Sequence, residues 1–104
     1  MTIAGERNMR VHVIAGVIVL AAALILRLPA RDVALLLLTI ALVMTTEVIN
    51  TAIEAAVDLA APEWHELAKK AKDAAAGAVL IAAAFAVLIG LLVFWKPVMA
   101  LWGM

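Results

Sequence analysis

Three long apolar stretches, separated by short charged ones, dominate the chain. The first runs from about Val11 to Leu28. The second begins near Val33, stays apolar to Met44 and then turns amphipathic as far as Asp58. The third extends from about Ala74 to Trp95. A helix takes roughly 20 residues to cross the hydrocarbon core of a bilayer, and each stretch comes near that length, the second only if its polar half is counted. None shows the alternation of a half-buried strand, and all are too long for one. The pattern predicts an all-α integral membrane protein with three transmembrane helices at roughly 11–28, 33–58 and 74–95, in a single domain over 1–104.

The connections read as turn and amphipathic link. In "RLPARD" (27–32), Pro29 interrupts a helix ladder, and Asp32 is placed to cap the second helix by accepting from its free N–H groups. In "LAAPEWHELAKKAK" (59–72), Pro62 suits a first helical turn. Trp64, Trp95 and Trp102 suit anchoring at the membrane interface.

Composition agrees with the pattern. Hydrophobic residues make up 68% of the 104, against roughly one half in soluble domains, and the mean hydropathy is +1.17. Without cysteine there is neither a disulfide framework nor a thiolate metal site. A net charge of zero counts against nucleic acid as a partner. The charged start leads directly into a long span with no small-residue cleavage site, so a cleaved signal peptide is not expected. Five basic residues, Arg7, Arg10, Lys69, Lys70 and Lys72, flank one side of the spans, against Arg27, Arg31 and Lys96 on the other. That bias puts the N-terminus and the second connection in the cytoplasm.

The anomaly lies in "EVINTAIEAAVD" (47–58), where charge follows the apolar run "VALLLLTIALVM". At 100° per residue Glu47, Asn50, Glu54 and Asp58 fall within roughly 80° of one helix face, with Thr51 beside them. Glu47 lies ~16 Å deeper along the helix than Asp58. A carboxylate at that depth costs several kcal/mol unless it meets a cation, water or a partner.

Three readings fit the stripe. It is an oligomer seam in which polar residues hold helices together, a proton or ion pathway, or a site for a metal-chelated anion at the membrane surface. Two glutamates and an aspartate on one face suit a seam poorly, because they repel. Conduction is disfavoured because no second helix is expected to bring a matching intramembrane charge. The third reading is favoured. In it Glu54 holds a metal, and the deeper Glu47 meets something lipid-like; a carboxylate withdrawn from water is a competent general base.

The rest of the chain supplies what such a site needs. Lys72 and Asp73 lie level with the stripe at the start of the third span, and Glu6 lies just before the first. Lysine is a standard point-charge partner for phosphate. Two carboxylates on a divalent ion, with a lysine on the phosphates, are the parts of phosphoryl transfer. Lys69 and Lys70 read as a solvated helix face. His65 reads equally well as a contact to a base or phosphate and as a surface imidazole. Neither a P-loop nor a G-x-G-x-x-G motif is present, so a nucleotide would be held in another way. Small residues at 74–78 ("AAAGA") and 82–84 ("AAA") allow close helix packing.

Three segments, "ERNMRVH" (6–12), "EVINTAIEAAVD" (47–58) and "HELAKKAKDAAAGAV" (65–79), resemble the prokaryotic diacylglycerol kinase family of small three-span membrane enzymes. The resemblance covers nearly the whole chain in order. It implies a homotrimer in the bacterial plasma membrane, multi-pass, with active sites shared between neighbouring subunits on the cytoplasmic side. It implies ATP as phosphoryl donor, Mg²⁺, and a membrane lipid alcohol as acceptor, either diacylglycerol or undecaprenol. "ERN" and "AKDAAAGAV" resemble the Gram-positive branch, where the alcohol is often undecaprenol. By resemblance Glu47 is the general base, Glu6 and Glu54 hold the metal, and Asn50 supports the site. Glu63, Trp64, His65, Lys72 and Asp73 fall where the family contacts ATP, and Asn8, Met9 and Arg10 fall on a lipid-contacting stretch. Family members carry a surface helix of some twenty residues before the Glu6 position, and five residues precede Glu6 in this sequence. The alternative is a non-catalytic trimeric membrane protein of the same fold that lacks this helix.

Overall fold

In the computed structural model the backbone is described over residues 3–103 and side chains from Met9 to Gly103. Three helices follow in order: α1 (Ile3–Ile25), α2 (Ala30–Ala60) and α3 (Glu66–Leu101). No strand occurs among the described residues. The helices run up, down and up along a body 58 Å long and about 20 Å across. Both α2 and α3 are long and apolar enough to cross a membrane; the apolar part of α1, Met9–Ile25, is shorter.

Packing centres on α2, which α1 and α3 each contact, α3 more extensively. The seams use small residues at seven-residue spacing, Gly16 and Ala23 on α1 and Ala75 and Ala82 on α3, around Leu36, Val43 and Glu47 of α2. Close approach is tightest at Gly16, where an added Cβ would lie 3.2 Å from Ile40 Cγ2. The seven-residue spacing is that of left-handed bundles, and small residues let backbones meet where lipid supplies no hydrophobic drive. Elsewhere large apolar side chains such as Leu38, Phe85 and Leu92 are exposed, an arrangement suited to hydrocarbon rather than water.

Helices α2 and α3 outrun the expected spans at both ends, whereas α1 begins earlier, at Ile3, and stops at Ile25, three residues short of the expected Leu28. α3 continues through Pro97 to Leu101, because a proline near a helix end forfeits one backbone bond and apolar surroundings penalise every alternative. The turn between α1 and α2 is made at Arg27, two residues before Pro29. Arg27 adopts φ 56°, and its N–H and that of Leu28 bond back to Leu24 and Ala23 at 3.1 and 3.0 Å, closing a Schellman motif. Pro29 is then the N-cap of α2. Asp32 therefore does not cap that helix; it sits in the first turn, where its charge opposes the positive end of the helix dipole. Pro62 likewise begins no helix. It lies in the non-helical link 61–65, and α3 starts only after His65.

Candidate functional site

The polar stripe of α2 meets a different helix at each of its ends. At the deep end Glu47 is the one buried charged side chain among the described residues, 7% exposed. Its Oε1 lies 2.6 Å from Nδ1 of His12 on α1. The ring N–H is not in line with that oxygen, so the pair is a close contact rather than an aligned hydrogen bond. Glu47 Oε2 and Asn50 Oδ1 are also buried with no protein partner among the described residues. Three polar atoms left unsatisfied in one place are rare in a packed interior and indicate that something else meets them.

Sequence reasoning gave His12 no role. The signal was present: it falls inside the first apolar run, where an ionisable side chain is by default a functional candidate. Where the sequence leads one to expect no second helix with a matching intramembrane charge, α1 brings an ionisable side chain, His12, to the level of Glu47.

At the shallow end the stripe meets α3. Lys72 reaches across to Asp58, and Lys69 donates to Asp73 one turn on at 2.8 Å. The Asp58 hydrogen bond raises the Lys72 amine above its usual pKa, burial opposes this, and the charges of Asp58 and Glu54 add smaller contributions to the rise. Lys69 is raised in the same way by Asp73. These groups border a recess of about 340 Å³ lined by Asp58, Glu63, Trp64, His65, Lys69, Lys72 and Asp73. All five residues expected to contact a nucleotide thus share one recess. Lys69, read from sequence as a solvated face, stands at its edge as well.

His65 has a structural task besides. Its Nδ1 accepts from the Leu67 N–H at 3.0 Å and caps α3. That bond puts the ring proton on Nε2, leaving Nε2–H as the donor available to the recess.

Between α1 and α3 the bundle opens into an apolar groove of about 340 Å³ floored by α2, with His12 at its polar end and Gly90 and Phe94 among its walls. Of the other expected site residues, Glu54 is half-buried on the stripe between Glu47 and Asp58, Met9 is half-buried and Arg10 exposed. Glu6 and Asn8 lie on the first turns of α1, and their side chains fall outside the described residues. No group of three metal-ligating side chains forms among the described residues.

Residues 1–94 match the family model described as prokaryotic diacylglycerol kinase. The chain belongs to the prokaryotic diacylglycerol kinase family. It is 50% identical over 99 residues to a diacylglycerol kinase of Synechocystis sp., covering 94% of this chain and 57% of that protein. It is 43% identical over 89 residues to an undecaprenol kinase of Bacillus subtilis, covering 86% and 72%. With a diacylglycerol kinase of Escherichia coli it shares 45% identity over 62 residues, covering 60% and 51%. The chain thus spans between about half and three quarters of the length of these relatives. This member of the prokaryotic diacylglycerol kinase family is a membrane protein, by its family and by two helices of spanning length.

Proposed function

We propose that the chain transfers the γ-phosphoryl group of ATP to the hydroxyl of a membrane lipid alcohol, with Glu47 as general base. The observation that carries this is Glu47 itself, a buried carboxylate with one oxygen against His12 and the other without a partner among the described residues. A kinase site of this kind needs a base at the depth of a lipid hydroxyl and a phosphate-binding mouth in water, joined by a rigid element. α2 carries both, with Glu47 ~16 Å below Asp58 along an unbroken helix. The shared recess of Glu63, Trp64, His65, Lys72 and Asp73 supports its use for the nucleotide.

In this reading the lipid oxygen attacks the γ-phosphorus while Glu47 Oε2 takes its proton. The bond to the β-phosphate oxygen breaks and ADP leaves. Lys72 exchanges Asp58 for phosphate oxygens, and His65 donates through Nε2. Asn50, one turn from Glu47, offers its amide to the same hydroxyl or to the transferring group.

The donor set suits magnesium rather than a metal that needs a protein cage, since Mg²⁺ is usually bound by one or two carboxylates plus phosphate oxygens. With His12 against Glu47, six residues back along α1 and seven forward along α2 bring Glu6 and Glu54 to nearly one level, ~9 and ~10 Å above that contact. Bound there, the ion would neutralise charge on the phosphates. Glu6 lies ~120° around α1 from His12, a placement that suits a contribution to a neighbouring copy's site. This supports a homotrimer with composite sites on the cytoplasmic face, and Met9 and Arg10 with Asn8 then border the lipid.

Relatives include kinases of diacylglycerol and of undecaprenol, which supports a lipid alcohol of one of these kinds as the acceptor. The test is purified protein in mixed micelles with magnesium, radiolabelled ATP and either alcohol. Label should appear in the lipid and vanish in Glu47→Gln. An intact oligomer that labels neither lipid would favour the non-catalytic assembly and overturn the proposal.

A further inference from the structure

The contact between α1 and the base has a consequence for how the base is aimed. Glu47 is isolated from water, and a carboxylate in that setting has two equivalent oxygens and free rotation of its terminal group unless something distinguishes them. Here something does: His12 Nδ1 stands 2.6 Å from Oε1, whereas Oε2 is buried and has no partner among the described residues. The imidazole is 31% exposed as a side chain although its Nδ1 is buried, and it borders the apolar groove between α1 and α3. The same ring therefore touches the base with one edge and forms the polar end of a hydrocarbon-lined groove.

We infer that His12 is a positioning residue for Glu47: it holds Oε1, selects Oε2 as the proton-accepting oxygen, and sets the base at the end of the groove. This rests on the reading of Glu47 as general base. A base oriented by a third group through a hydrogen bond is the general logic of activated nucleophiles. The off-line N–H in the present geometry is no obstacle, since such bonds tighten when substrate is bound. Nor does His12 need to ionise, because a neutral imidazole protonated at Nδ1 donates equally to a carboxylate.

A purely structural role, two polar side chains holding α1 to α2, makes different predictions, and four variants separate the two. His12→Leu suits an apolar helix and removes the donor. His12→Asn places an amide N–H near the position of Nδ1. Glu47→Gln removes the base, and the fourth variant combines His12→Leu with Glu47→Gln. Lipid phosphorylation, the KM for magnesium-ATP and oligomer size are measured on each. Positioning predicts that His12→Leu lowers kcat by about 10²-fold, the cost of a misplaced reacting group, with the KM for magnesium-ATP and oligomer size unchanged. It predicts that His12→Asn recovers most of that loss. It also predicts that His12→Leu costs nothing further in the Glu47→Gln background, because residues acting as a unit are not additive. Full activity of His12→Leu beside an inactive Glu47→Gln overturns the inference and leaves the base assignment standing. So does a loss that multiplies onto that of Glu47→Gln, or a loss in His12→Asn as large as in His12→Leu. Full activity of Glu47→Gln overturns the base assignment, and the inference falls with it.

Discussion

Two acid–base contacts leave the same stripe of α2, and they differ chiefly in water. Glu47 meets His12 of α1 with 9% of its side chain exposed; Asp58 meets Lys72 of α3 with 62% exposed. At the mouth, solvent and salt screen the attraction, and such pairs contribute little to stability. That weakness makes Lys72 exchangeable, so phosphate oxygens can replace Asp58 at small cost. At depth no water competes, and a polar group left alone is expensive. The deep pair is therefore fixed and the shallow one negotiable, which is the division that a base and a substrate-binding mouth require.

Substitutions at the two ends of the stripe separate these roles. The largest effect is expected at the deep end. Glu47→Gln should lower lipid phosphorylation by about 10²–10⁴-fold, the usual worth of a positioned base, while Asp58→Asn leaves kcat nearly unchanged. Equal losses in the two, by labelled-ATP assay, would erase the distinction. Next comes Lys72→Met, which should cost roughly 10–100-fold in kcat/KM for magnesium-ATP, the worth of a hydrogen bond to a charged group, with the melting curve unmoved. Because the folded pKa of Lys72 is raised above 10.5, its pairing is fully present below that value and lost only as pH rises through the folded value. A titration of this variant against the parent should accordingly show a small stability difference that does not change between pH 6 and about 9.

Smaller effects should appear in packing. Gly16→Leu would drive a side chain into Ile40 and part α1 from α2, costing about 1–3 kcal/mol by equilibrium unfolding in micelles and lowering transfer by disturbing His12. Arg27→Gly relieves a left-handed residue far from both pairs. It should stabilise by about 1 kcal/mol and leave activity alone, so any loss of transfer would tie the far turn to the site.

Much of this was legible in the sequence. Apolar runs announced the three helices, and the i, i+3, i+7, i+11 spacing announced the stripe, because periodicity is a local property. What failed was local chemistry decided by neighbours. Asp32 and Pro62 have the residue types of helix starts, yet backbone geometry at Arg27 and capping by His65 set the boundaries instead. His12 was missed because its importance lies in a contact between helices 35 residues apart in the chain, which no spacing rule encodes. Lys69 and Lys70 look alike in sequence; only Lys69 joins the recess.

One last consequence follows from the length of α3. Its 36 residues measure ~54 Å at 1.5 Å each, nearly twice the ~30 Å thickness of a hydrocarbon core. The overhang is chemically unequal. Glu66 to Asp73 carry three lysines and two acids that cannot be drawn into hydrocarbon, whereas between Trp95 and Trp102 the one charged side chain is Lys96. When the surrounding bilayer thickens, the far end can sink and the mouth cannot. Hydrophobic mismatch is then absorbed at Trp95 and Trp102, whose fluorescence should shift with host acyl-chain length, while the depth of Glu47 below the headgroups on the Lys72 side stays constant from one membrane to the next.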